Sequence, residues 1–383
     1  MKATKILKIT FASLAALIVL IIAAVAVIWR GEIATVRTFS SANGNEYLYY
    51  MEYKADYDLD DVIEHDVASN KDLMGYIIGR IGKGLPIRIS STKFSSENTQ
   101  EVFNCTSFQT RNALNDGWLY GRNYDFNKNP TLVTVSHPKN GYASIATSDM
   151  SHFGFSLDRI PDSFISKLTC LAAIYAPMDG INEKGLCTSI MAIPNQPAQQ
   201  NTGKHKIGTS ILMRLFLDRC ATVDQAIELV NSYDICHDVS VTSGYHYMVA
   251  DAQGNCAVIE FDKDDDWKTL VVRKNADSTR MVVTNHLLSP KYYTEVPDKS
   301  VGNVNSRSWW RYEHVNNYLQ EHDNKVTLHD AQVCLYQVFW KDLLCDDGFL
   351  EDTQYSNVYD QSALKLYLRN WNDYPHTYIF SLE

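Results

Sequence analysis

Clustered positive charge is missing from this 383-residue chain: 35 Lys and Arg stand against 45 Asp and Glu, the net charge is −10, and no basic block follows the N-terminus. A nucleic-acid surface needs such clusters, so nucleic acid is excluded as a partner. Paired metal-binding cysteines are missing too. None of the eight cysteines forms a Cys-x-x-Cys pair, and the only histidine adjacent to one is His237, which argues against a zinc site. No cofactor or metal is expected. No internal repeat or low-complexity linker divides residues 105–383, which therefore read as one domain. What is present, 45% hydrophobic and 21% charged residues, suits a folded chain with a full core and excludes disorder. The 23 Tyr and seven Trp are many for this length; most belong to core or cross-strand positions, and some are available to line a pocket for an apolar or ring-bearing group.

Long apolar runs are also scarce, with one exception. Lys2, Lys5 and Lys8 precede an uncharged, mostly apolar stretch from Ile9 to Trp29. About twenty such residues cross a bilayer, whereas a signal-peptide core is about 7–15. Residues 1–30 thus read as a membrane anchor, and the lysines place the N-terminus inside and everything after Arg30 outside. The alternative is a long cleavable signal peptide with a site at Ala24-Val25-Ala26. In an exported chain the cysteines raise the question of disulfides. Cys187 and Cys334 lie in apolar stretches and read as buried free thiols.

Cys105 heads Cys105-Thr106-Ser107-Phe108, and sixteen residues later comes Gly121-Arg122-Asn123-Tyr124-Asp125-Phe126, with Asn115-Asp116-Gly117 between. An Asp-Gly turn between aromatic-rich runs predicts a hairpin pairing 105–112 with 118–126. That pairing returns Arg122 and Asp125 to the neighbourhood of the sulfur. A guanidinium favours the nucleophilic thiolate, and a carboxylate can hold a neighbouring amine. No histidine is close in sequence to act as base. A cut between Asn104 and Cys105 would free an α-amino group, pKa about 8, to be that base. A buried structural thiol is the alternative reading of Cys105 alone.

The hairpin resembles the start of the mature chain in the N-terminal-nucleophile amidases that include choloylglycine (bile salt) hydrolase, penicillin V acylase, N-acylethanolamine acid amidase, acid ceramidase and the isopenicillin N acyltransferases. Further stretches look similar in the same order: Asp179-Gly180-Ile181-Asn182-Glu183-Lys184-Gly185-Leu186; Tyr245-His246-Tyr247-Met248-Val249-Ala250-Asp251 leading into Ala257-Val258-Ile259-Glu260; Thr284-Asn285; and Ser306-Arg307. The resemblance covers most of residues 105–383. It implies a cysteine amidase acting on linear amide C–N bonds, with bile salts, N-acylethanolamines, ceramides, N-acyl amino acids and penicillin V as the substrate classes of relatives. It also implies that residues 31–104 are a pro-segment cut away by Cys105 itself, the alternative being a spacer off the membrane. Residues 59–81, with Val62, Ile63, Val67, Leu73, Ile77 and Ile78 at helical spacing, make that segment helical, and Gly82 and Gly84 end it.

By the same resemblance the catalytic set is Cys105, Arg122, Asp125, Asn285 and Arg307. Met281-Val282-Val283 reads as a buried strand that delivers Asn285 to a strand end, where a side-chain amide can donate to an oxyanion. Some relatives use a second amide at the position of Ala192, which has none to offer from its side chain. Arg307 is expected to help set the electrostatics of the site. His246 reads as a satisfied strand histidine, and His286 as structural or pocket-lining. Asp262, Asp264, Asp265 and Asp266 read as a solvated turn rather than a calcium loop, and Asp179 with Asn182 as parts of a tight turn. Two alternatives to hydrolysis are acyl transfer to an amine and a silent surface binding protein with the same fold.

The pattern of elements is α+β. Short strands are expected at 105–126, 131–136, 186–193, 245–261 and 269–284, helices at 207–220, 223–233, 307–320 and 328–339, and strands again in 355–382. The resemblance sharpens this to a four-layer αββα sandwich with Cys105 starting a central strand.

Overall fold

The computed structural model describes residues 2–83, 104–193, 196–241, 243–293, 304–344 and 350–382, with side chains from residue 13 and, in the helix at 304–321, from residue 307. Helix α1 (Lys2–Ile28) and helix α2 (Arg30–Val36) meet at Trp29, whose φ of −100° and ψ of 21° leave the helical region. The corner is held from outside: Trp29 Nε1 donates to the Ile81 carbonyl at 2.7 Å, and Lys83 pairs with Glu32 at 2.7 Å. Among the described residues no single helix is long and apolar enough to cross a membrane. Ser13–Ile28 and Arg30–Val36 meet the test only together, bent by 75°. The single spanning helix expected over 9–29 is therefore not found among them.

The segment before Cys105 is not simply helical, which corrects the expectation for it. After strand β1 (Ser40–Ser41), strand β2 (Leu48–Tyr53) lies parallel to β5 (Thr131–Ser136), from Leu48↔Thr131 to Tyr53↔Ser136. Leu48 and Met51 are fully buried in that position, worth about 1.5–3 kcal/mol each. The helical stretch expected at 59–81 is two helices, α3 (Leu59–Glu64) and α4 (Asn70–Gly82). Asp66 takes a φ of 48° between them, and Ser69 restarts the helix by accepting from the Asp72 amide at 3.1 Å.

The remainder follows the expected α+β order. Strands β3 (Asn104–Asn112) and β4 (Trp118–Phe126) form the hairpin, with Asn115 Oδ1 accepting from the Gly117 amide in its turn. After β5 come β6 (Ser144–Asp149), α5 (Phe164–Thr169), β7 (Asp179–Asn182), β8 (Cys187–Ile193) and β9 (Lys206–Gly208). Helices α6 (Thr209–Arg219) and α7 (Val223–Val230) precede β10 (Asp234–Cys236), β11 (Gly244–Ala250), β12 (Cys256–Asp262), β13 (Lys268–Arg273) and β14 (Arg280–Val283). Helix α8 (Val304–Glu321), β15 (Lys325–Val326), helix α9 (Leu328–Gln337), β16 (Leu343–Leu344), β17 (Leu350–Asp360), β18 (Lys365–Asn370) and β19 (Tyr378–Ser381) complete the chain. Thr222 and Thr327 cap α7 and α9 through Gln225 and Asp330.

Two sheets result. One runs β1-β2-β5-β6-β7-β8-β11-β12-β13; the other runs β14-β3-β4-β17-β18-β19, with β15 beside β3 and β16 beside β17. Helices α6 and α7 lie against the first sheet, and α8 and α9 against the second. This is the expected αββα order of layers; β3 is an interior strand, second from the β14 edge of its sheet rather than central. Gly121 is required there: opposite it stands Phe108, and a Cβ at Gly121 would lie 2.3 Å from the Phe108 ring. Seven cysteines among the described residues are buried free thiols; Cys345 lies outside them. Asp264, Asp265 and Asp266 are exposed in the turn after β12, as expected of a solvated acidic run, but Asp262 is buried at the end of that strand and pairs with Lys291 at 2.7 Å.

Candidate active site

Strand alternation sorts the hairpin into two faces. Cys105 lies opposite Tyr124, Ser107 opposite Arg122 and Gln109 opposite Tyr120, so these six share the face toward the other sheet. Across that seam Ser107 and Tyr120 both meet the Ser189 hydroxyl of β8. Asn104, Thr106, Asn123 and Asp125 take the opposite face, toward α8 and α9. The hairpin thus brings both Arg122 and Asp125 to Cys105, but on different sides of the sheet.

On the seam side, the Cys105 thiol points to the Ile190 carbonyl at 3.8 Å, and Arg122 Nη2 donates to the same carbonyl at 2.7 Å. Arg122 Nε lies 3.6 Å from Asp179. Asp179 is itself wrapped by donors of β17, with Tyr355 Oη at 2.7 Å, Asn357 Nδ2 at 2.7 Å and Tyr359 Oη in contact. It is therefore a fully buried strand residue rather than part of an exposed turn. The turn begins after it, where Asn182 Oδ1 accepts from the amides of Lys184 and Leu186. Burial pushes the Cys105 thiol up to about 12; Arg122 and Arg311 pull it down, and Asp125 opposes them.

On the helix side stands a residue that sequence reading did not select. Arg311 of α8 donates to the Cys105 carbonyl, to Thr106 Oγ1 at 3.1 Å, to Asp125 Oδ2 at 3.3 Å, to Asn104 Oδ1 at 3.2 Å and to Asn285 Oδ1 at 2.9 Å. One guanidinium therefore binds both residues of the Asn104–Cys105 peptide. Asp125 does not hold the Cys105 nitrogen; its other oxygen accepts from Thr353 at 2.6 Å. Burial raises the Asp125 carboxyl, and Arg311 opposes that rise.

Asn285 is the second residue after β14, at the strand end that the buried run before it predicts. Its Oδ1 accepts from the Cys105 backbone N–H at 2.6 Å, and its Nδ2 donates to the Ala192 carbonyl at 2.6 Å. Ala192, which has no side-chain amide, thus enters through its backbone. Arg307 pairs with Glu351 at 2.8 Å, and it is Arg311 that reaches Cys105. The two are about one helical turn apart, roughly 6 Å along the axis, and the charges of Glu351 and Arg307 both act on Arg311. The sequence signal was available in Arg307-Ser308-Trp309-Trp310-Arg311, two arginines at i and i+4 on one helix face.

The two histidines near Asn285 are not catalytic bases by position. His246 is a buried strand residue 3.3 Å from Glu260. His286 stacks on Trp309 with ring centroids 3.9 Å apart, accompanied by Tyr293 and Tyr312, and burial lowers its pKa to about 3. Among the described residues no group of His, Cys, Asp or Glu is arranged to hold a metal ion.

The family model for acyl-coenzyme A:6-aminopenicillanic acid acyl-transferases matches residues 160–373, a stretch that holds Asp179, Asn285, Arg307 and Arg311 and begins after the Cys105 hairpin. Among solved structures, two variants of the conjugated bile acid hydrolase from Clostridium perfringens each align over 73% of this chain and 92% of their own, with a TM-score of 0.52 and 16% identity. Penicillin V acylase from Agrobacterium tumefaciens aligns over 70% of this chain and 83% of its own at 15% identity, with a TM-score of 0.49. The fold is mixed α/β and N-terminal-nucleophile-hydrolase-like.

Proposed function

Because the chain belongs to the acyl-coenzyme A:6-aminopenicillanic acid acyl-transferase family, among the N-terminal-nucleophile enzymes related to choloylglycine hydrolase and penicillin V acylase, we propose that it is a cysteine amidase hydrolysing linear amide C–N bonds of N-acyl compounds. The observation that carries this reading is the set of polar groups gathered around the Cys105 backbone: Arg311 donates to the Cys105 carbonyl and to the Asn104 side chain, and Asn285 accepts from the Cys105 N–H. In the uncut chain the thiol is buried and its pKa high, as suits a zymogen.

Maturation begins when the Cys105 sulfur attacks the Asn104 carbonyl. The acyl group moves from nitrogen to sulfur, which frees the α-amine of Cys105, and water then cleaves the thioester, restoring the thiol and leaving Asn104 with a carboxylate. That amine inherits the Asn285 Oδ1 acceptor already facing the backbone nitrogen. In turnover the same sulfur attacks the substrate carbonyl while the amine takes the thiol proton and passes it to the leaving amine. Asn285 Nδ2, an amide with two N–H groups, donates to the oxyanion. Arg122 favours the thiolate, and Arg311 with Asp125 fixes the backbone of Cys105. Water then hydrolyses the acyl-enzyme. After the cut the leader stays attached through β2, which remains paired with β5.

The second reading is acyl transfer to an amine, favoured by the activity named for the matching family model. Product analysis with penicillin V and a competing amine separates the two. Membrane attachment through the N-terminal helix, with the catalytic part outside, belongs to the same proposal. Its support is the exposure of Leu17, Val19, Leu20 and Val27 at 54%, 64%, 66% and 69%, and extraction of membranes at high pH tests it. Bile salt, N-acylethanolamine, N-acyl amino acid and penicillin V amides form the substrate panel. The decisive experiment is intact mass with N-terminal sequencing of wild type beside Cys105→Ala. A terminus at Cys105 in the wild type alone supports self-maturation, and a full-length wild type that hydrolyses the panel refutes it.

A further inference from the structure

One motif of the sequence has no role in the mechanism above: His246 in Tyr245-His246-Tyr247 and Glu260 at the end of Ala257-Val258-Ile259-Glu260. Both side chains are fully buried, in adjacent strands β11 and β12 of the nine-stranded sheet. Glu260 turns its two oxygens to the loop after β14: Oε1 accepts from the Leu288 amide at 2.7 Å and Oε2 from the Ser289 amide at 2.9 Å. His246 Nδ1 lies 3.3 Å from Glu260 Oε1, and Nε2 lies 2.9 Å from the Thr284 carbonyl. A carbonyl only accepts, so Nε2 carries a proton and donates it. Thr284 is the residue bonded to Asn285.

The pair therefore grips the backbone on both sides of Asn285, at 284 and at 288–289, and ties it to one particular strand. His246 lies opposite Met191 in the register of β11 and β8. The residues flanking Met191 supply the carbonyls of the site: Ile190 receives the Cys105 thiol and Arg122, and Ala192 receives Asn285 Nδ2. Asn285 itself follows the other sheet. Its amide already reaches the first sheet through the Ala192 carbonyl; the histidine adds a second bond across the two sheets, to the backbone from which that amide projects. A buried polar pair that contributed nothing but stability could be replaced by apolar packing. This one is spent on backbone groups within four residues of the oxyanion donor.

We infer that His246, held by Glu260, is the positioning residue for the Asn285 amide, acting through the Thr284 carbonyl. The inference rests on the oxyanion role given to Asn285 above. It makes the two hydrogen bonds of His246 unequal: the one to Thr284 serves the reaction, and the one to Glu260 orients the ring.

Two substitutions separate those bonds. His246→Gln places an amide N–H where Nε2 donates, toward Thr284, whereas His246→Asn reaches only the Nδ1 side, toward Glu260. Each keeps one bond, so urea unfolding should place the two variants close together. The reading is the ratio of two rates at Cys105 in the mature protein. Acylation by p-nitrophenyl acetate passes through an oxyanion; alkylation by iodoacetamide does not. A change in exposure or ionisation of the thiol moves both rates, and a displaced oxyanion donor moves the first alone. Asn285→Ala should lower the ratio by about 100-fold. His246→Asn should lower it by about tenfold and His246→Gln by less than about threefold. In the Asn285→Ala background His246→Asn should add nothing, since the two act through one group. If Asn285→Ala lowers the ratio while His246→Asn leaves it at the wild-type value, or if Gln and Asn lower it equally, the inference is overturned and the role of Asn285 stands. If Asn285→Ala leaves the ratio unchanged, the oxyanion role fails and the inference falls with it.

Discussion

Two buried clusters flank the Cys105 hairpin, one on each face of its sheet, and they solve opposite problems. In the seam between the sheets Asp179 is an anion surrounded by neutral donors, Tyr355, Asn357 and Tyr359, all projecting from one face of β17, with Arg122 at 3.6 Å. Under the helices Arg311 is a cation surrounded by acceptors drawn from β3, β4 and Asn285 beyond β14. The first cluster takes its donors from a single strand and joins one sheet to the other. The second gathers groups from several elements around one residue, meeting the N–H and the carbonyl of Cys105. Satisfying a buried charge with neutral dipoles makes a joint; converging side chains on one backbone unit makes a site.

The largest effect should come from the residue both clusters enclose. Cys105→Ala should remain folded yet uncut, with no turnover of any amide in the panel, so intact mass should show only the full-length chain. Arg311→Met should come next. It leaves Asp125 buried without its cation, at a cost of about 3–5 kcal/mol, and it removes the hydrogen bonds at Asn104 and Cys105. Urea unfolding should show the loss, and the rate of appearance of the Cys105 terminus should fall by about 100-fold or more. Asp179→Asn tests the contrast directly. It keeps one acceptor for the β17 donors and removes the charge, so stability should drop by about 1–3 kcal/mol while cleavage still proceeds. If Asp179→Asn blocked cleavage as completely as Arg311→Met, the division between joint and site would be wrong.

Acid should act elsewhere. Burial lowers His237 to about 3, against about 6.5 when unfolded, and His286 shares its direction and cause. Between those values the unfolded chain binds more protons than the folded one. The stability these residues contribute is complete above pH 6.5 and is lost as pH falls toward 3, by up to about 1.4 kcal/mol per pH unit for each group. Denaturant midpoints at pH 7.5, 5.5 and 4.5 should decline accordingly, and His237→Phe should flatten the decline. The smallest effect should follow from changing Arg307 and Glu351 together. Arg307→Met with Glu351→Leu removes a buried pair without leaving either charge behind, so stability should shift by only about 1–2 kcal/mol and the cut at Cys105 should persist.

The hairpin was legible because its signals are local. The Asn115-Asp116-Gly117 turn and the β-forming runs on either side set the pairing, and the pairing alone brings residues 122 and 125 back to 105. The caps of α7 and α9 were legible for the same reason. Strand β2 was not, because its partner β5 lies about eighty residues on and nothing in Leu48-Tyr49-Tyr50-Met51 specifies a parallel neighbour. The opposing faces of Arg122 and Asp125 follow from odd and even positions in the strand, but which face meets the other sheet is decided by what packs on it. Arg311 was missed although its helix was expected. A helix offers residues at i and i+4 on one face with equal claim, and only the crossing of α8 over β3 selects between 307 and 311.

The sequence by itself therefore determined the nucleophile candidate, the hairpin that presents it, the buried strand leading to Asn285 and the α+β pattern of elements, since each depends on spacing along the chain; the αββα layering was implied by the resemblance. The tertiary structure alone decided that β2 joins the sheet, that Asp179 braces Arg122, that Ala192 contributes its carbonyl, and that Arg311 reaches the Cys105 carbonyl and the Asn104 side chain. Those are relations between segments far apart in sequence. They are set by how layers stack and by where a buried charge can find enough partners, and neither is written in any local pattern of residues.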